Sequence, residues 1–494
     1  LVRSFSSGSG LARIAGDPWY WRVAGFTFGQ AVLSTFLTLL AGLPAAVVFA
    51  RWTFPGRRLL RSAFTIPFVM PTVVAGMGFL ALAGPRGLLG VNLQDSFALI
   101  MLAHVFYNAA LVIRIVGSYL ETAVRRPEQA AASLGASELR ILFRVTLPLA
   151  RPAIIAAAAL VFVLTFTSFG VLLILAPSWS TLEVEIYRLT ARLLQLDAAA
   201  VLVIVQLLTV GLSTVLYTRW QARLATPVTG AAGRLPPARG LRLLLVALLL
   251  LPAVVLTVAP LLALSVQTFF RPGPLPDLGA FRQLQQARPT AMFPGAGRAL
   301  YNSLFFAGSS MLVSLTVGSC FAWATVRAGW RWLDSVSLLP LATSAVTLGF
   351  GYLLAFPELT LSPWGIVLAH SLIAFPFVTR SLLPALRGIP ASLTQAAETL
   401  GAPPLSVLRR VELPLLVPAF LTAAAFAFAI SLGEFGASLV ITRPEYATLP
   451  VAIFDRLSRP GAANHSAALA LSFLLMSLTG VIMLLLDRRQ RGGL

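Results

Sequence analysis

Residues 127–135 read Pro127-Glu128-Gln129-Ala130-Ala131-Ala132-Ser133-Leu134-Gly135, and Arg144-Val145-Thr146-Leu147-Pro148 follows them closely. Residues 394–401 read Thr394-Gln395-Ala396-Ala397-Glu398-Thr399-Leu400-Gly401, followed by Arg410-Val411-Glu412-Leu413-Pro414. Gly135 and Gly401 lie 266 positions apart, and so do the two Leu-Pro pairs. The same offset carries His104 onto His370, Arg114 onto Arg380 and Phe169-Gly170 onto Phe435-Gly436. One insertion later, Thr181-Leu182 matches Thr448-Leu449. Chance similarity between apolar segments does not place polar residues and glycines at a constant offset, so the chain is a tandem repeat. Within each copy the alanines favour a short helix, and the glycine can end it at low steric cost. A second short amphipathic stretch, 139–145 or 405–411, then leads to Leu-Pro. Small side chains on an exposed helix point to a partner surface that closes over them; the alternative is a helix resting on lipid headgroups.

The rest of the chain is hydrocarbon-seeking. Of 494 residues, 58% are hydrophobic and 11% charged, where an ordinary globular domain has about 25% charged. Eleven apolar stretches are long enough to cross a ~30 Å hydrocarbon core as helices. They are 30–50, 62–83, 97–120, 153–175, 199–218, 243–264, 301–325, 333–356, 365–386, 418–441 and 466–486. Prolines inside them, Pro67 and Pro71 among others, are expected to be tolerated because neighbouring helices can satisfy freed backbone groups.

The net charge of +20 does not mark a nucleic-acid surface. Arginines gather in short loops, the first two without acids: Arg51, Arg57, Arg58 and Arg61; Arg219, Arg223, Arg234, Arg239 and Arg242; Arg327 and Arg331; Arg488, Arg489 and Arg491. Under simple alternation these loops share one side, which is therefore cytoplasmic. Both Leu-Pro segments fall on that side, so the repeats are parallel. Residues 221–240, rich in Pro, Gly, Ala and Arg, read as a cytoplasmic linker between a first half, 1–220, and a second half, 241–494. Alternation also leaves the N-terminus outside. With Leu1 at its start, the chain is expected to lack an upstream first helix that would complete six per half.

Chemistry is limited by what the chain omits. It contains no lysine and so no phosphate-cradling P-loop lysine, which excludes that ATP site. Its single cysteine, Cys320, allows no intramolecular disulfide. Three histidines scattered over the chain offer neither a metal site nor a clustered enzyme centre. No cofactor is expected.

Ala130-Ala131 followed by Gly135 and Leu147-Pro148, with its copy Ala396-Ala397, Gly401 and Leu413-Pro414, resembles the EAA loop of type I ABC-transporter permeases, the binding-protein-dependent importers. The resemblance spans both halves. It implies an all-α membrane protein of two parallel repeats of the MetI-like transmembrane domain, with about eleven transmembrane helices here, in the inner membrane. It also implies two copies of a separate ATP-hydrolysing subunit, each docked on one coupling segment, and a soluble or lipid-anchored substrate-binding protein. The family's glutamate falls at Gln129 and Gln395, which can hydrogen-bond but bring no charge; Glu128 and Glu398 are neighbouring candidates for that charge. Three segments are similar to fused two-half permeases for thiamine: 103–108, 181–187 and 431–436. Those for ferric iron are the alternative. A secondary transporter with parallel six-helix halves would share the repeat but has no need of two matched alanine helices on the cytoplasmic side.

Ionisable residues within spans are functional candidates because their burial in hydrocarbon is costly. Glu434, beside Phe435, matches Ser168, beside Phe169, and these four are candidates for the translocation pathway. Glu434 could attract a cationic substrate, or it could be an internal ion pair. His104 and His370 recur in both copies, which favours a helix–helix hydrogen bond. Arg114 and Arg380 are expected to snorkel.

Overall fold

In hydrocarbon a backbone has no water to bond, so runs this apolar fold as helices that satisfy their own N–H and C=O groups. The computed structural model describes residues 9–222, 235–270, 276–290, 292–330, 332–337, 339–441 and 443–491. Among them every regular element is a helix, and β pairing is limited to the isolated bridges Thr53–Pro237 and Thr290–Phe293. Nine described helices are long and apolar enough to cross a membrane, ten if one sharply bent pair counts as a span. These nine, and the two short helices of the repeated segment, are labelled in chain order: α1 (Pro18–Arg51), α2 (Phe97–Tyr119), α3 (Arg125–Ser133), α4 (Leu147–Phe166), α5 (Leu196–Ala222), α6 (Leu241–Phe269), α7 (Ala296–Val326), α8 (Pro363–Arg387), α9 (Ala391–Thr399), α10 (Leu413–Leu432) and α11 (Ala462–Arg491).

Four expected spans are not single helices: 153–175 and 418–441 are interrupted at residues 167–169 and 433–435, and the other two are broken more sharply. The stretch 62–83 is Arg57–Val69 followed by Thr72–Ala83, bent by 108°. Pro71 lies at the break; its ring removes an N–H and clashes with the preceding turn, so tolerance of this proline fails. The stretch 333–356 is likewise broken into Trp332–Val336, a 3-10 turn Leu339–Ala342 and the helix Ala345–Ala355. Ser344 restarts the last by accepting the Thr347 N–H at 3.1 Å. The two sharper breaks follow α1 and α7 respectively.

The chain divides into a compact unit of Leu1–Phe68 with Ala75–Gln267 and a second of Val69–Val74 with Thr268–Leu494. By packing, α6 goes with the first unit. Its Val246, Leu250 and Ala253 are buried with Ala45, Val48 and Phe49 of α1 and Ile113 of α2. At its far end Gln267 donates to the carbonyls of Ala81 and Arg86, at 2.8 and 2.6 Å. Linker residues 223–234 lie outside the described residues, as does Arg331. Where the chain is described again, Thr53 donates to the Pro236 carbonyl at 3.0 Å and accepts from the Ala238 N–H at 2.8 Å.

Each unit has a core of small residues. In the first, Ala46 and Ala50 of α1 meet Val112 and Val116 of α2 and Ala153, Ala157 and Val161 of α4. In the second, Ala322 of α7 meets Val378 and Leu382 of α8 and Ala423 and Ala427 of α10. Lipid tails are as apolar as leucine, so these helices associate by close packing, which small residues permit. A Cβ on Gly42 would lie 2.7 Å from Val112 Cβ, and one on Gly318 would lie 2.7 Å from Val378 Cγ1. Gly42 and Gly318 therefore occupy the same station, which sets α1 and α7 in register at an offset of 276 rather than 266.

Candidate functional site

The repeated segments form the same device in both units. α3 and α9 each end on a glycine in the left-handed region, Gly135 at φ 81° and Gly401 at φ 77°. Around each glycine the backbone closes a Schellman arrangement. Ala136 N–H reaches back to the Ala131 carbonyl and Gly135 N–H to Ala132; Ala402 N–H reaches Ala397 and Gly401 N–H reaches Glu398. Just before each glycine a leucine stands in solvent, Leu134 88% exposed and Leu400 87% exposed. Gln129, Ala130, Gln395 and Ala396 are exposed, and Ala131 and Ala397 are half-buried. Each unit thus presents an apolar tip on a small-residue helix.

The Leu-Pro pairs explain the rest of the segment. Pro148 and Pro414 have no N–H to offer the residue four positions back, and their rings crowd its carbonyl. The helix widens into a π turn there, Leu142–Thr146 in one unit and Leu408–Glu412 in the other. Leu147 N–H bonds Leu142 and Leu413 N–H bonds Leu408, five residues back in each case. The last residue of each π turn, Thr146 or Glu412, is buried. Both meet the arginine that ends the first long helix: Thr146 accepts from Arg51 Nη2 at 2.8 Å, and Glu412 pairs with Arg327 Nη2 at 2.5 Å.

Glu128, a candidate for the charge absent at Gln129, is turned inward. Its Oε1 lies 2.7 Å from Arg51 Nη2, with both side chains under 20% exposed, and it also accepts from Thr146. Glu398 is exposed on α9. Arg380 pairs with Asp334 at 3.4 Å rather than simply snorkelling, while Arg114 is exposed.

The two histidines occupy equivalent buried nodes. His104 Nδ1 lies 2.8 Å from Ser34 Oγ and Nε2 lies 2.8 Å from Ser168 Oγ. His370 Nδ1 and Nε2 lie 2.8 Å from Ser431 and Ser438, and Nε2 lies 3.2 Å from Glu434 Oε2. Glu434 therefore does in one unit what Ser168 does in the other. Its carboxylate also accepts the Ala437 and Ser438 N–H groups, at 2.9 and 3.0 Å, capping the short helix that follows α10. Phe169 packs edge-on against Tyr187, and Phe435 packs against Phe454. Glu434→Ala strips two buried backbone donors and a histidine of their acceptor, at a cost of about 2–4 kcal/mol. Ser168→Ala removes one neutral hydrogen bond, about 1 kcal/mol. Thermal unfolding in detergent should rank wild type above Ser168→Ala, and both well above Glu434→Ala; equal midpoints would show that the carboxylate holds nothing in place.

A first helix hidden at the 276 offset concealed the arginine nodes from sequence reading. Arg51 matches Arg327, just as Thr27 matches Ser303. Those last two accept the N–H of Leu182 and of Leu449, at 2.9 and 2.7 Å. Counting the register separately for each helix would have found them.

Fold and site together define a multi-pass inner-membrane transport permease built of two repeats, each carrying a short helix that ends on a glycine and is followed by a Leu-Pro pair. The chain belongs to the family of binding-protein-dependent transport system inner membrane components, whose model matches residues 38–227 and 236–492. It is similar to the thiamine transport system permease protein ThiP of Escherichia coli (strain K12), 29% identical over 489 residues that cover 93% of this chain and 89% of that protein. The protein of that name in Brucella abortus (strain 2308) is 28% identical over 506 residues, covering 96% and 88%. A putative 2-aminoethylphosphonate transport system permease protein, PhnV of Salmonella typhimurium, is 34% identical over 200 residues, 37% of this chain and 74% of its own. Family membership sets aside the secondary transporter.

Proposed function

We propose that this chain conducts thiamine into the cell as the fused permease of an ATP-driven importer. Each half, 1–220 and 241–494, contributes one coupling segment. Gln129, Ala130, Ala131, Gly135, Leu147 and Pro148 form the first, and Gln395, Ala396, Ala397, Gly401, Leu413 and Pro414 form the second. One copy of a separate ATPase docks on each, and a soluble or lipid-anchored binding protein delivers the substrate from outside. The permease itself catalyses no reaction. The observation that carries this reading is similarity over most of the chain to thiamine permeases combined with two matched exposed tips.

Ser168, Phe169, Glu434 and Phe435 border the substrate path in this proposal. They sit where α4 and α10 stop and the chain briefly leaves helical form. Non-helical backbone at membrane depth is tolerated only where protein buries it or a cavity runs past it. With its carboxylate already bonded, Glu434 acts by shaping that break rather than as a free anion.

Proteoliposomes holding the permease, its ATPase and its binding protein should accumulate labelled thiamine when ATP is inside and the binding protein outside. Uptake of ferric iron with thiamine left behind would assign the alternative substrate and refute thiamine. ATP hydrolysis by the permease alone would refute the division of labour.

A further inference from the structure

The arginine at the end of the first long helix of each unit, α1 and α7, is held by a carboxylate, but the carboxylate comes from a different element in each. In the first unit it is Glu128, on the coupling helix α3, with Thr146 at the base of α4 completing the cluster. In the second unit it is Glu412, at the base of α10. At the 266 offset Glu128 corresponds to Thr394 and Thr146 corresponds to Glu412, so acid and threonine have changed places. Thr394 spends its hydroxyl on the Ala391 carbonyl of its own helix, at 2.8 Å.

A second ion pair is transposed nearby. Glu121 binds Arg57 and Arg61 at 2.9 and 3.2 Å, whereas its counterpart Arg387 binds Asp334 at 3.4 Å. That exchange leaves the same two elements joined. The inner exchange does not: it joins α3 to α1 in the first unit, but α10 to α7 in the second. Among the described residues no side chain of α9 bonds outside its own helix, Thr394 and Thr399 both turning back on it. A partly open cavity of about 280 Å³ borders α3, lined by Arg51, Trp52, Glu128, Gln129, Glu138 and Arg242 among others. The Arg51–Glu128 pair lies on its wall, and Arg242 holds Glu138 of the same segment at 3.0 Å.

We propose that Glu128 is a positioning residue that ties the first coupling helix to α1 through Arg51, making the two ATPase-facing helices mechanically unequal. α3 transmits motion of α1 directly, while α9 follows only through its backbone. This rests on the reading of α3 and α9 as docking helices. A partner of two identical ATPase subunits would thus meet one stiff and one compliant contact.

The test transposes the residues. In the full complex, Glu128→Thr removes the tie. Glu128→Thr with Thr146→Glu rebuilds the arrangement of the second unit, keeping Arg51 paired but freeing α3. Glu128→Thr should lower substrate-stimulated ATP hydrolysis about tenfold, with the KM for ATP unchanged and the ATPase still bound. The double variant should recover the wild-type unfolding midpoint yet remain about tenfold low in stimulation. Recovery of stimulation together with stability would overturn the proposal, reducing the pair to a clamp within the fold. So would wild-type stimulation in Glu128→Thr. Leu134→Asp combined with Leu400→Asp, run in parallel, separates the two levels. If it retains the ATPase, the docking reading fails and this proposal with it. If it releases the ATPase while the double variant recovers stimulation, the tie alone is refuted.

Discussion

Valine at both Gly135 and Gly401 should abolish transport and substrate-stimulated ATP hydrolysis while leaving membrane insertion intact. Both glycines hold φ near 80°, and a Cβ added at either would meet nothing within 4 Å. The demand is therefore conformational and not spatial. A side chain in the left-handed region costs roughly 1–2 kcal/mol, and β-branching puts valine at the upper end. The chain can relieve that strain only by leaving the Schellman closure, which releases the bonds to Ala131 and Ala397 and swings Leu134 and Leu400 away. Neither glycine touches the helical cores, so folding of the membrane part is spared. Uptake and stimulated hydrolysis in proteoliposomes provide the measurement, with alanine at both sites as a milder control. Wild-type uptake by the valine double variant would remove these helix ends from the coupling path.

The repeat, the cytoplasmic segments and their glycine ends were legible because each rests on local chemistry. Alanines, a glycine and a Leu-Pro pair dictate a helix, its end and a widened turn without help from distant residues. The bend at Pro71 was missed because composition reports that a stretch is apolar, not that it is straight. The packing partners of α6 were not legible for another reason: Val246, Leu250 and Ala253 suit any small-residue helix surface, and only packing decides that they meet Ala45 and Phe49. Glu128 was named as a candidate for the charge absent at Gln129 because the partner that turns it inward, Arg51, lies 77 positions away. Glu434 shows the limit from the other side. Costly burial was foreseen, but whether a carboxylate faces substrate or caps a helix depends on two backbone N–H groups that no composition records.

Aspartate at both Leu134 and Leu400 should strip the ATPase from the purified complex. The two leucines are almost wholly exposed in the permease, at 88% and 87%, on helices whose other outward residues are small or polar apart from Leu393. Burying a leucine contributes about 2 kcal/mol, and an aspartate forced into the same apolar recess adds a desolvation cost of several kcal/mol. Each site should lose at least about 3 kcal/mol, more than a hundredfold in affinity. With the permease presenting two tips, loss at both also removes the avidity that would mask a single change. Pull-down with tagged permease measures retention, and the unfolding midpoint serves as control, since neither leucine belongs to a buried core cluster. The rival picture, in which the tips rest on lipid headgroups, makes the opposite forecast. Aspartate would then weaken insertion or stability and leave ATPase retention unchanged, because the leucines would never have touched that subunit.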